Sequence, residues 1–105
     1  MVTRGDVWLA ALDPTVGSEI RKTRPCLIIS PPEIHDHLRT VIVAPMTTGS
    51  QPAPFRPEIR FQGKAGRIVL EQLRCLDQKR LIKRLGPIEP ATLDKTLQTL
   101  QAFFK

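Results

Sequence analysis

The sequence predicts a mainly β domain with one α-helix: a small barrel of short strands, crossed at an open end by a C-terminal amphipathic helix. Three observations predict it. Short apolar or alternating runs recur at close spacing with turn residues between them. Ten prolines and six glycines punctuate those runs. The last stretch alone changes to a helical period. The 105 residues suit a single domain over 1–105, with no linker, internal repeat or low-complexity segment to divide it.

The elements follow in order. "DVWLAAL", Asp6 to Leu12, is an apolar strand candidate, and the turn-rich loop "DPTVGSE" follows it. "PCLIIS" is a continuous apolar strand bounded by Pro25 and Pro31. "PPEIHDHL" is a loop with room for one helical turn. "RTVIVAPMT" is β-branched and reads as a strand from Arg39 to Met46. A proline-rich loop, "TGSQPAPFRP", leads to the alternating strand "EIRF", which "QGKAG" turns back. "RIVLEQLRCL" is a strand with an interruption near Glu71 and Gln72, and "KRLIKRLGPIE" joins a basic turn to a last short strand. In "PATLDKTLQTLQAFFK", Leu93, Leu97, Leu100 and Phe104 share one helical face, and Pro90 suits the first turn.

Charge narrows the function. The net charge is +6, with a pI near 10. Arg56 through Arg84 holds nine basic residues against Glu58, Glu71 and Asp77, an excess equal to the whole net charge. Clustered cations are the footprint of a polyanion binder, and equally of a solubilising surface. The two cysteines, Cys26 and Cys75, lie in apolar runs and read as buried, reduced thiols of a cytoplasmic protein. Neither has a histidine near it in sequence. The N-terminal stretch has no signal-peptide pattern, and no run approaches membrane-spanning length.

Three features bear chemistry. In "RKTRPCLIIS", Arg24 precedes a proline, which holds it extended at the mouth of a core strand. A guanidinium fixed there suits a phosphate, because its fork donates two parallel hydrogen bonds. Its ordinary alternative is an ion pair to Glu19 or Asp13. In "APMTTG", Thr47 and Thr48 end a strand, where hydroxyls either bind phosphate oxygens or satisfy free backbone groups of a turn. In "LEQLR", Glu71, Gln72 and Arg74 set an acid, an amide and a base close together, able to read base edges or to form a solvated bend. "HDH", His35 to His37, lacks a third ligand nearby, so no metal is expected. Trp8 reads as core packing rather than a base-stacking ring.

Taken together, "RGDVWLAALDPTVGSE", "RPCLIIS", "RTVIVAPMTT" and "LEQLRCLD" with "RLIKRLG" occur in an order and spacing that resembles the MazF/PemK/Kid family of bacterial toxin endoribonucleases. The resemblance covers almost the whole chain. It implies an SH3-like barrel of the Kid/PemK/CcdB type with a C-terminal helix, assembled as a homodimer. It implies the toxin of a type II toxin–antitoxin system: a sequence-specific, ribosome-independent and metal-independent endoribonuclease acting on single-stranded RNA, without a cofactor. The implied partner is an acidic antitoxin that blocks the RNA groove. By position, the resemblance makes Arg24 and Thr47 catalytic. It places Glu19, Lys22, Thr48, Glu71, Gln72 and Arg74 at the RNA.

The implied chemistry needs no metal, because the ribose 2′-OH attacks the adjacent phosphorus and the products carry a 2′,3′-cyclic phosphate and a 5′-OH. Arg24 would stabilise the charge that grows on the phosphoryl oxygens. Arginine is a poor acid, with a pKa above about 12, so its electrostatic role comes first. DNA lacks the 2′-OH and is excluded. The chain departs from the family where Ser18 stands in place of a histidine some members carry, which leaves the general base unassigned, with Glu19 a candidate. Ile20 and the pair Arg21 and Lys22 replace a usual glutamine and glycine, adding cations to the loop. Cys75 replaces a common threonine. The same barrel also serves a toxin that inhibits DNA gyrase by binding alone, and a member that has kept only antitoxin or RNA binding is a further alternative. A pure binder would not need Arg24 with Thr47.

Overall fold

A computed structural model describes residues 2–105. Seven strands form one curled antiparallel sheet: β1 (Asp6–Ala11), β2 (Thr23–Ile28), β3 (Thr40–Thr47), β4 (Glu58–Phe61), β5 (Lys64–Ile68), β6 (Arg74–Asp77) and β7 (Leu81–Pro87). The order across the sheet is β4-β5-β3-β2-β1-β7, with β6 also on β3. A single helical turn, α1 (Pro32–His35), precedes β3, and α2 (Pro90–Phe103) ends the chain. The mainly β fold with a C-terminal helix is the one the sequence predicts.

β3 organises the sheet. It is the longest strand, and its β-branched run faces neighbours on both edges. One edge pairs with β2, from Val43↔Ile28 to Pro45↔Cys26. The other edge pairs first with β6, over Thr40 to Val43, and then with β5, at Met46 and Thr47. The interruption expected near Glu71 and Gln72 is a 3-10 turn, Leu70–Gln72, which carries the chain from β5 to β6 along that edge. Two shifts of register between β1 and β7 increase the local twist and curl the sheet. Gln62 at the β4–β5 turn donates from Nε2 to the Leu85 carbonyl of β7 at 3.0 Å, drawing the two ends of the sheet together.

Alternation along the strands divides the apolar residues between two clusters. Val7, Leu27, Ala44, Met46, Ile68 and Leu70 belong to the first, with Leu93, Leu97 and Leu100 of α2 packed on it. Ala10, Cys26, Ile28, Val41, Val43 and Leu76 form the second, with Trp8 against it. Pro90 opens α2 as expected. Phe104 does not continue its apolar face: the helix ends at Phe103 and the Phe104 ring is 78% exposed. Leu100→Ala is expected to cost about 2–4 kcal/mol, because it empties a buried helix–sheet contact. Thermal melts would show this as a fall in Tm of at least about 8 °C.

Two expectations need correcting. The second strand begins at Thr23 rather than Pro25, so Arg24 lies within the strand and not before it. Pairing with Ala10 of β1 extends it that far. Cys75 is exposed, not buried. It alternates with Leu76 on β6, and Leu76 takes the inward face.

Candidate functional site

The site arises where β2 and β3 part. Pro25 lacks an N–H, so the β2–β3 ladder loses its next donor past Cys26↔Pro45, while Pro45 turns its carbonyl to the Val69 N–H at 2.8 Å on the other edge. Beyond that point β3 pairs with β5 instead. A groove of about 680 Å³ opens at the separation, lined by Arg24 and Pro25 from one strand and by Met46, Thr47 and Thr48 from the other. Gln72, Arg56 and Lys64 also line it.

Arg24 is exposed and forms no ion pair or side-chain hydrogen bond among the described residues. Its two candidate acids are occupied elsewhere. Asp13 accepts from the Lys22 backbone N–H at 3.1 Å and from Thr15, while Glu19 accepts from the Val16 N–H at 3.0 Å. Thr47 Oγ1 is buried with no partner among the described residues. Gly66 of β5 permits the approach that seats Thr47, since a Cβ there would stand 2.5 Å from the Thr47 carbonyl oxygen. Backbone atoms at that distance cannot give way, so the position requires glycine.

The loop between β1 and β2 is held from several sides. Leu12 N–H donates to the Lys22 carbonyl at 2.9 Å, and Arg74 donates to the Leu12 carbonyl at 3.1 Å. Arg80 donates to the carbonyls of Ala11 and Asp13. Gln72 accepts from the Ile20 N–H at 2.6 Å and donates to the Ser18 carbonyl at 3.3 Å. Lys22 takes φ +70, the region glycine enters freely, and both its N–H and carbonyl are bonded. Glu19 and Lys22 are exposed on this loop and do not line the groove.

Among the residues named from sequence, Arg24, Thr47, Thr48 and Gln72 therefore meet in one groove. Arg74 and Gln72 also tether the loop beside it, a task read from neither. Glu71 is engaged by Arg56, whose guanidinium donates to both carboxylate oxygens and also to the Gln51 carbonyl. Burial pushes the Glu71 carboxyl up, but its hydrogen bond and charge interaction with Arg56 and a backbone bond outweigh this and hold it below its ordinary value. The hydrogen bond to Glu71 in turn raises Arg56. Sequence reasoning missed Arg56, whose only signal was its place in the basic run.

That pair gives a pH dependence. A lowered carboxylate pKa contributes stability above the ordinary value near 4.5, which is lost as pH falls through the folded value. Melts of wild type and Glu71→Gln are therefore expected to differ near neutral pH and to converge as the pH falls through the lowered carboxyl value.

Other candidates fall away from the groove. His35 is buried in α1, with Nδ1 3.0 Å from Ser30 Oγ, and neither it nor His37 lines the groove. Burial pushes the Cys26 thiol up to about 12, only partly opposed by Arg74, so Cys26 is no nucleophile near neutrality. Among the described residues no three of His, Cys, Asp and Glu gather as metal ligands. No helix among them is long and apolar enough to cross a membrane.

The family model described as PemK-like, MazF-like toxin of type II toxin–antitoxin system matches residues 3–104. The chain is 40% identical over 91 residues to the endoribonuclease MazF of Staphylococcus epidermidis, covering 81% of this chain and 76% of that protein. It is 34% identical over 107 aligned positions to the endoribonuclease EndoA of Bacillus subtilis (strain 168), covering 96% and 92%. A solved endoribonuclease in complex with its cognate antitoxin, from a mycobacterial species, shares the fold. Its TM-score is 0.83 at 22% identity, covering 99% of this chain and 95% of that one.

Proposed function

This chain belongs to the PemK-like, MazF-like toxin family of type II toxin–antitoxin systems, and from that premise we propose that it is an endoribonuclease that cuts single-stranded RNA without a metal. The observation that carries the reading is the groove that joins a guanidinium, Arg24, and a hydroxyl, Thr47, neither of which has a side-chain partner among the described residues. An acceptor-rich phosphate matches both groups.

The substrate supplies the nucleophile. Its 2′-oxygen forms a bond to the adjacent phosphorus as the bond to the 5′-oxygen breaks. The 2′ proton leaves to a base, for which Glu19 is the candidate on the neighbouring loop. The leaving 5′-oxygen takes a proton, and the products are a 2′,3′-cyclic phosphate and a 5′-OH. Arg24 faces the negative charge that grows on the non-bridging oxygens, and it has no ion pair among the described residues to break first. Thr47 donates a hydrogen bond that orients the phosphate, and Thr48 extends that edge.

Gln72 and Arg74 act in this reading through the loop they hold, which carries Lys22 beside the groove. Arg56 and Glu71 form a charged pair on its border, where a nucleotide could exchange with either partner. Lys22 contributes sequence-independent phosphate affinity. An acidic antitoxin occupying the same basic groove would exclude RNA, in keeping with the antitoxin-bound mycobacterial neighbour. The exposed Phe103 and Phe104 rings, in contact with each other, are apolar surface that a second copy in a homodimer would cover.

The test uses purified protein, a long unstructured RNA and the matching single-stranded DNA, all in EDTA. Discrete cuts in RNA alone, with 5′ ends that a kinase phosphorylates directly, are expected. Cutting that needs added divalent metal, or ends that carry a 5′-phosphate, would refute the mechanism. Toxicity without any RNA cutting would favour inhibition by binding, with gyrase the next assay.

A further inference from the structure

We infer that the β3–β4–β5 corner holds a second phosphate subsite, formed by Arg60, Arg67 and Thr48, for a phosphodiester of the RNA strand beyond the one that is cut. This rests on the reading of the chain as an RNA endonuclease and extends its substrate track.

A second cavity, of about 420 Å³, lies against the groove. The two share Thr48, Ile59, Ala65 and Gly66, so they adjoin. Gly66 stands on that shared boundary and cannot carry a side chain, because a Cβ would strike the Thr47 carbonyl. The register places the cations. Arg67 lies opposite both Glu58 and Thr47, and Arg60 lies opposite Ala65. Directly paired residues share a face, so Arg60 and Arg67 are diagonal neighbours within reach of each other's long side chains. Two guanidinium groups so placed repel unless an anion sits between them.

The donors are incompletely used. Arg67 Nη1 donates to the Ser50 carbonyl at 2.9 Å, and Nη2 stands 3.8 Å from Glu58. Arg67 Nε has no partner, and neither does Thr47 Oγ1 or Ser50 Oγ. These are three of the four buried side-chain polar atoms left unpaired among the described residues: Arg67 lines the second cavity, while Thr47 and Ser50 line the adjoining groove. An unpaired buried donor costs free energy, so the free Arg67 Nε–H favours a ligand with acceptor oxygens in the second cavity. Glu58 is the one acid present, and its side chain is 80% exposed, free to swing away when a phosphate arrives. The contacts reach backbone phosphate, so the subsite adds affinity without sequence preference.

The test measures binding of a labelled single-stranded RNA whose cut position carries one 2′-deoxyribose. Affinity is read between about 50 and 200 mM salt. Arg60 is exposed, so Arg60→Ala leaves the fold intact. It is expected to reduce the slope of log affinity against log salt by about 0.7, the loss of one phosphate contact. On unmodified RNA the loss appears in KM. Arg60→Lys restores the slope, and Glu58→Gln tightens binding. Lys95→Ala, on α2 away from both cavities, leaves the slope unchanged.

Equal slopes for wild type and Arg60→Ala would overturn the subsite, as would an equal fall for Lys95→Ala. So would an Arg60→Ala loss seen only with a polyglutamate peptide, since the corner would then be a carboxylate site. If wild type binds the RNA but never cuts it, the cleavage reading fails while the slopes still decide the subsite. If wild type does not bind RNA, both fall.

Discussion

Arg24→Ala is expected to lower kcat for RNA cleavage by about 10²–10³-fold, the range typical of removing one preorganised charge-stabilising group. The fold should not change, because Arg24 is exposed and carries no ion pair or side-chain hydrogen bond among the described residues. A surface substitution of this kind shifts stability by less than about 0.5 kcal/mol. Arg24→Lys should recover only part of the rate, since an ammonium is a point charge and lacks the planar two-point fork. Circular dichroism, thermal melts and single-turnover cleavage on one RNA decide the matter. Full activity in Arg24→Ala would remove Arg24 from the chemistry.

Thr47→Val is expected to reduce kcat by about 10²-fold, with an effect of opposite sign on stability. Valine keeps the branched shape and removes only the hydroxyl. In most sites that change sacrifices an internal hydrogen bond. Here Oγ1 is buried and unpaired, so its removal relieves an unsatisfied polar atom. Tm should therefore stay level or rise while activity collapses. Activity lost with Tm unchanged or higher is the signature of a group held for substrate. Activity and Tm falling together would make Thr47 a packing residue, and unchanged activity would exclude it from the site.

The strands were legible because their signals are local. "EIRF" spans the residues of β4, and the break near Glu71 appears as the 3-10 turn between β5 and β6. Boundaries that depend on a partner strand were not legible. Thr23 and Arg24 join β2 only because β1 extends to meet them. The exposure of Cys75 likewise depends on which face of β6 reaches the core. Phe104 fits the helical period of α2, but the helix ends one residue too early to place it on the packed face.

The site divides in the same way. Arg24, Thr47 and Thr48 could be named from their positions at strand ends, where the two prolines and the turn residues are visible. The second task of Gln72 is a contact across 52 residues of sequence, and nothing near it announces the bond to Ile20. The engagement of Glu71 by Arg56 spans 15 residues and closes around the whole β4–β5 hairpin, from an Arg56 that sits at the end of a proline-rich loop of no regular period. Arg67 was visible only as one more cation in a basic run. Its role depends on the register that sets it opposite Thr47.

The central claim is that the RNA supplies its own nucleophile while Arg24 and Thr47 stabilise the phosphate. The most direct test maps one cut site and then replaces the single ribose on its 5′ side with 2′-deoxyribose. The account predicts that wild-type protein still binds this RNA with the affinity of the unmodified strand and no longer cuts at that position. Continued cutting there would show that the nucleophile comes from elsewhere, and would contradict the account.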